Sequence, residues 1–413
     1  MIRETRVDES GRLALPPDLA TELGLTPGAH TVLDVQDNRL CVRRPPSQLA
    51  RLDIEVTSRC NLSCATCMRH TWDEPAGDME AATFARILEG LRAFSPPPKV
   101  FFGGLGEPLL HTSIVDMVRQ ARMLGGKVEL ITNATLLTPQ VSRGLIEAGL
   151  DVLWVSLDGA TGESYAEVRR GGTLDGVLEN LMAFRRLRRP AINPMPALGI
   201  AFVATRGNVA DLPAVLNLGR RVGASLYSVS NVLPYSAEMA SQTLYGSCLW
   251  QRGDCPTPYT PRAELATMTM DAVTQPALWD LLRREADVVY AGVPFGAGGN
   301  RCPFIERGSA AVRWDGSLSP CPPLLHTHVS VLDDRQRLAR AWTIGNVNQD
   351  DLVTLWHRPE HLAFRQRVQA FDFAPCLHCG GCEMAETNEE DCFGNTFPTC
   401  GGCLWAQGVI RCP

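Results

Sequence analysis

Cys60, Cys64 and Cys67 stand at CxxxCxxC spacing in the stretch Glu55-Val56-Thr57-Ser58-Arg59-Cys60-Asn61-Leu62-Ser63-Cys64-Ala65-Thr66-Cys67-Met68, directly after an apolar, strand-like run from Leu52 to Thr57. An electron-transfer [4Fe–4S] cluster takes four cysteines, so three leave one iron with an open coordination position. An open position lets a metal centre bind a substrate, as catalytic zinc sites do by keeping one ligand short. The plainer alternatives for these thiols are a zinc site or buried, unligated cysteines.

A second candidate follows in Phe101-Phe102-Gly103-Gly104-Leu105-Gly106-Glu107-Pro108. Glycines here let backbone carbonyls come close to a ligand; alone, such a stretch would be only a turn. Ile131-Thr132-Asn133-Ala134-Thr135 and Val155-Ser156-Leu157-Asp158-Gly159 each end a strand-like run with polar side chains.

CxxxCxxC followed one βα unit later by GGxGEP resembles the radical S-adenosylmethionine (radical SAM) superfamily. The resemblance implies that the open iron chelates the amine and carboxylate of S-adenosylmethionine. It implies a cofactor-binding role for Gly103, Gly104, Gly106 and Glu107, where backbone carbonyls accept from the methionine ammonium. It also carries Thr132, Asn133, Ser156 and Asp158 over as contacts to the ribose hydroxyls and the methionine carboxylate. Read singly, each of these four is equally well a helix cap or turn residue. Arg169, on the next helix, is a partner for the carboxylate or a solvated arginine. Thr66 departs from the aromatic that many members carry before the last cysteine.

Nine of the fifteen cysteines fall after residue 300: Cys302, Cys321, Cys376, Cys379, Cys382, Cys392, Cys400, Cys403 and Cys412. The hairpin signal Asp315-Gly316 lies between the first two and would bring Cys321 back towards Cys302. This layout resembles the SPASM extension of radical SAM peptide and protein maturases, which implies two auxiliary [4Fe–4S] clusters. Two clusters held by four cysteines apiece need eight thiolates, so nine suffice. The spacing departs from the usual CxxC-x5-C-x3-C, so individual cysteines are not assigned to individual clusters; zinc knuckles are the rival. Cys248 and Cys255 are left without a role.

The elements that must position these residues alternate. Candidate strands are Leu52–Thr57, Val100–Gly103, Lys127–Thr132, Val152–Leu157, Ala197–Ala204 and Ser225–Val232, with helical patterns at Glu80–Phe94, Ser113–Leu124, Pro139–Ala148, Gly162–Leu187 and Asn208–Val222. Six βα units predict an α/β fold with a parallel sheet. Closed TIM barrels need eight units, so a partial (β/α)6 barrel is expected. Ligands then bind at the C-terminal ends of the strands, where the motifs lie. Residues 1–46 form a small β-rich unit that resembles the AbrB/SpoVT-like swapped-hairpin domain. It has six arginines against seven acids and no lysine. Its basic face is therefore weak for DNA, and docking or homodimerisation is the expected role. Arg43 to Ser47 reads as a linker. Residues 50–235 form the core, 236–300 an insertion, and 301–413 the SPASM-like module.

With 45% hydrophobic and 20% charged residues, the composition is that of a globular protein. A net charge of −6 gives no reason to expect a nucleic-acid partner. No apolar run reaches the ~18 residues of a membrane helix, and the N-terminus lacks a secretory core, so a cytoplasmic location is expected. In the cytosol thiols stay reduced, so fifteen cysteines point to metal rather than to disulfides.

The expected function is that of a radical SAM/SPASM maturase. An external reductant such as ferredoxin or flavodoxin would supply the electron, S-adenosylmethionine would be cleaved to a 5′-deoxyadenosyl radical, and a protein, peptide or protein-bound cofactor would be modified. The AbrB-like leader, Cys67–Met79 and the ending Thr399–Gly408 together resemble the maturases of tungsten-cofactor oxidoreductases, which implies a tungsten oxidoreductase or its pyranopterin as partner. A ribosomal-peptide maturase making thioether or carbon–carbon links is the alternative. An Fe–S electron carrier or DNA-binding regulator is a third reading, which the glycine turn disfavours because a carrier needs no cofactor loop.

Overall fold

The computed structural model describes residues 5–25, 31–36, 39–188, 194–245, 262–269, 271–283, 287–290, 293–295, 299–332, 335–377 and 382–413. Cys248, Cys255 and Cys379 lie outside the described residues.

Six parallel strands form the core: β1 (Arg51–Ile54), β2 (Lys99–Phe102), β3 (Val128–Thr132), β4 (Val152–Ser156), β5 (Ala197–Ala204) and β6 (Leu226–Asn231), each hydrogen-bonded to the next. Helices α1 (Ala81–Leu91), α2 (Ile114–Arg122), α3 (Pro139–Glu147), α4 (Gly162–Val168), α5 (Leu174–Leu187) and α6 (Leu212–Val222) connect them. The amphipathic helices turn one face to the sheet. From α1, for example, Phe84, Ile87, Leu88 and Leu91 pack on Leu52, Ile54 and Val100 in one core cluster. Each such side chain contributes about 1.5–3 kcal/mol by leaving water. This is the expected α/β partial barrel.

Two differences matter for the site. The helix expected from Gly162 to Leu187 is broken. α4 ends at Arg169, and Gly171 adopts a positive φ of 93° before α5 begins. The break frees the carbonyls of Val168 and Arg170 to accept from Ala65 N and Ser63 N of the cysteine loop, at 2.8 and 3.0 Å. Helix propensity alone does not signal this; the Gly171-Gly172 pair does.

The sheet also has nine strands rather than six. β7 (Ser309–Val312) pairs in parallel with β1, β8 (Ser317–Ser319) returns antiparallel through the Asp315-Gly316 turn, and β9 (Gly345–Asn346) follows. Gly316 takes φ 87°, the left-handed conformation that the turn requires. The C-terminal segment thus extends the core sheet at its β1 edge.

The stretch read as a linker is held rather than free. Pro45 and Pro46 are buried. The Trp356 indole donates to Ser47 O at 2.8 Å, Arg365 Nε to Pro46 O at 2.6 Å, and Gln369 Nε2 to Arg44 O at 3.0 Å. Before it lie a short helix, Pro17–Leu23, and a hairpin of Leu33–Gln36 with Arg39–Val42. Among the described residues, no helix is long and apolar enough to cross a membrane.

Candidate functional site

The loop from Cys60 to Cys67 sits at the C-terminal end of β1. His70 Nε2 meets Cys64 O at 2.9 Å, and Cys67 N donates to Cys64 O at 3.1 Å. Burial raises the pKa of the Cys64 thiol, and the Arg169 guanidinium opposes it. Burial also raises Cys67, with added repulsion from Cys64 and Cys60. The three thiols therefore lie within electrostatic reach of one another, and the donor set fits one shared cluster. Arg169 Nη1 approaches Cys64 Sγ at 3.7 Å and Asn133 Nδ2 approaches Cys60 Sγ at 4.0 Å, so cationic and amide donors are aimed at the sulfurs.

The glycine loop lies against this one. A Cβ on Gly106 would come within 2.0 Å of Thr57 O, and one on Gly104, whose φ is 117°, within 2.7 Å of the Glu55 side chain. Glu107 N donates to Arg59 O at 2.8 Å. Gly106 is needed here for packing of backbone on backbone, and Gly104 for its positive φ and its closeness to the Glu55 side chain. Gly103 is similarly hemmed by Phe101 and Ile131, at 2.5 and 2.9 Å.

The polar residues divide into braces and open groups. Glu107 is buried and accepts from Thr132 Oγ1 (2.7 Å), Asn133 N (2.7 Å) and Leu109 N (3.0 Å). Burial raises its pKa against those bonds. It ties β2 to β3, and Thr132 is spent on the same brace. Asp158 is also used up internally. One oxygen accepts from Val203 N at 2.7 Å, and the other holds Arg169 at 2.6–2.7 Å. Burial disfavours the Arg169 charge, but Asp158 outweighs it and keeps the guanidinium protonated. Asn133 donates to Asn61 Oδ1 at 2.9 Å, bridging β3 to the cysteine loop. Ser156 is half-buried at the end of β4.

Sequence reading missed a second network. Alternating with the outward Leu52, Ile54 and Val56, the residues Arg51, Asp53, Glu55 and Thr57 are all buried. The run is therefore apolar on only one face, and the strict alternation from Arg51 to Thr57 was the available signal. His326, from the C-terminal segment, contacts Glu55 through Nε2 (3.0 Å) and Glu74 through Nδ1 (2.8 Å), and stacks on Trp72 at 3.9 Å. Burial disfavours its imidazolium, yet the bonds and charges of Glu55 and Glu74 outweigh this and raise its pKa. Glu55 Oε2 also accepts from Leu105 N of the glycine loop at 3.0 Å. One histidine thus links the C-terminal segment to that loop.

The late cysteines fall into groups. Cys302, Cys321, Cys400 and Cys403 line one cavity with Phe304, Leu324 and Arg337. Burial pushes Cys302 up to about 12 and raises the other three, each through burial first. Cys376 interacts instead with Cys392 and Cys382. Burial lowers the Arg337 pKa against attraction from Cys376, Cys403 and Cys400, so its guanidinium stands between the two groups. Cys412 packs against the hydrophobic cluster that holds Cys302 and Cys321, and its other neighbours are Trp405, Asp53 and Arg51.

Residues 54–199 match the Radical SAM superfamily, and residues 302–383 match SPASM, an iron–sulfur cluster-binding domain. The chain is 29% identical over 368 residues to a tungsten-containing aldehyde ferredoxin oxidoreductase cofactor-modifying protein of Pyrococcus furiosus, covering 88% of this chain and 96% of that one. It is 34% identical over 191 residues to a PqqA peptide cyclase of Gluconobacter oxydans, covering 46% of this chain and about half (51%) of the relative. Among solved structures, Streptococcus suis SuiB bound to precursor peptide SuiA shares the fold at a TM-score of 0.53 and 16% identity, covering 81% of this chain and 70% of that one. The protein anSMEcpe with bound AdoMet does so at 0.51 and 18%, covering 82% and 88%. The chain belongs to the radical SAM enzymes that carry a SPASM domain, and its cofactors are S-adenosylmethionine and [4Fe–4S] clusters.

Proposed function

We propose that this enzyme modifies the pyranopterin cofactor of a tungsten oxidoreductase. The supporting observation is the extent of the likeness to the Pyrococcus cofactor-modifying protein. It runs through 96% of that relative, whereas the likeness to the PqqA peptide cyclase covers about half.

In this reading Cys60, Cys64 and Cys67 hold the cluster that binds S-adenosylmethionine. Gly103, Gly104 and Gly106 shape the loop that receives the methionine end, with Ser156 as an open polar contact and Asn133 bridging to the cysteine loop. Glu107, Thr132 and Asp158 act one step back: the first two brace the loop, and Asp158 aims Arg169 at Cys64. Cys302, Cys321, Cys400 and Cys403 hold one auxiliary cluster. Cys376, Cys382 and Cys392, with Cys379, hold the other. When bound, the first cluster and S-adenosylmethionine supply a 5′-deoxyadenosyl radical that takes hydrogen from the substrate. An external ferredoxin or flavodoxin is the reductant class. The N-terminal segment exposes Val7, Leu13, Val32, Leu33 and Leu40, an apolar set suited to docking or dimerisation.

The test is anaerobic reconstitution to about twelve irons per chain, four for each of three clusters, followed by dithionite and S-adenosylmethionine. Formation of 5′-deoxyadenosine should rise when the immature tungsten oxidoreductase or its released cofactor is added. Stimulation only by a ribosomal precursor peptide would transfer the assignment to the peptide-maturase reading.

A further inference from the structure

A cavity of about 180 Å³ lies inside the barrel between the glycine loop (Gly103, Gly104 and Leu105) and the C-terminal segment. Arg51 and Asp53 line it from β1, and His326, Trp405 and Cys412 from the opposite wall. The remaining lining is mostly apolar. A dry cavity of about 150 Å³ accepts benzene, so this space takes one six-membered ring, with the rest of a larger molecule continuing towards the glycine loop.

Two polar groups on its lining are unspent among the described residues, the Asp53 carboxylate and the Trp405 indole N–H. Asp53 is 8% exposed. Its Oδ1 accepts from Arg51 Nε and Nη2, at 2.9 and 2.8 Å. Its Oδ2 is buried with no hydrogen-bond partner among the described residues. The rest of Arg51 is turned elsewhere: Nη1 donates to Pro413 O at 2.9 Å, and the guanidinium lies 4.3 Å from the centre of the Phe101 ring. A buried acceptor without a donor is costly, more so on a carboxylate. The charges on the wall offset one another, Asp53 beside Arg51 and Glu55 beside His326. The missing partner of Asp53 Oδ2 is therefore an N–H donor on an uncharged ring.

Building on the proposed function, we infer that this cavity receives a flat amino-heterocycle of the pterin type. An amino or ring N–H donates to Asp53 Oδ2, and the anionic substituents point out towards the glycine loop.

The test uses the reconstituted full chain and a fluorescent probe, 6-hydroxymethylpterin, titrated by fluorescence anisotropy. The expected result is saturable binding that weakens at least tenfold when the probe's 2-amino group is dimethylated, and also in Asp53→Asn. Iron content and thermal melting show whether that variant is folded. The comparison of the two probes needs no variant. No binding of the pterin, or equal binding of both probes by the unaltered protein, overturns the inference. So does equal pterin binding by a folded Asp53→Asn. The proposed function is read from the oxidoreductase assay, so failure here leaves it standing.

Discussion

Cys60, Cys64 and Cys67 come from a single loop, whereas Cys302, Cys321, Cys400 and Cys403 are gathered from distant parts of the chain onto one cavity. The first set is partly exposed, at Cys60 and Cys67, and faces polar groups that can meet a ligand. In the second, Cys302 and Cys321 are buried among Phe304, Leu324 and Phe364. A short loop can leave one coordination position open because it need only supply ligands. A centre assembled across the fold is also part of the core, so metal binding there contributes to folding stability. The two sites should therefore fail differently when a thiol is removed.

The largest effect is expected at the first site. Cys64→Ala should bring 5′-deoxyadenosine formation below detection and remove about four irons per chain. Residual cleavage at wild-type rate would break the contrast at once. Cys321→Ser should also remove about four irons, but with a marked fall in the thermal midpoint, while the electronic spectrum of the remaining clusters still responds to S-adenosylmethionine. Loss of that response would mean that the two sites are not independent. Arg169→Ala leaves Asp158 buried without its partner, which should cost about 3–5 kcal/mol in denaturant unfolding. A cost close to zero would show that Arg169 is no part of the packed scaffold.

The smallest expected effect lies where the two regions touch. His326→Gln should weaken S-adenosylmethionine binding about tenfold, or about 1.4 kcal/mol, through Glu55 and the glycine loop. The folded imidazolium is held above its ordinary value of 6.5. Its contribution is therefore complete below that value and is lost as pH rises through the raised one. Binding in the wild type should fall over that range, and the Gln variant should be flat. Parallel profiles would place the histidine outside this link.

The barrel and its first thiol site were legible because their signals are local. CxxxCxxC and GGxGEP are each contiguous, and the strand and helix periods around them are regular. Two kinds of feature were not. Glu107, Thr132 and Asp158 have the residue types of ligands, but three-dimensional packing turned them inward as braces, and a side chain's direction at a strand end is not written in its neighbours. The grouping of the late cysteines and the link through His326 depend on strand β7 entering the core sheet beside β1, a long-range pairing with no local signature. The alternation of Arg51, Asp53, Glu55 and Thr57 was readable and pointed to a polar barrel interior.

That insertion of β7 has a consequence for how the protein is made. Until residues 309–312 emerge, β1 is an open edge, with unpaired N–H and C=O groups beside a hydrophobic core. The core sheet is completed only by a strand from the C-terminal segment. Its completion waits on the segment that also brings Cys302, Cys321 and His326. A chain cut before β7 should accumulate as aggregate rather than as a smaller working enzyme.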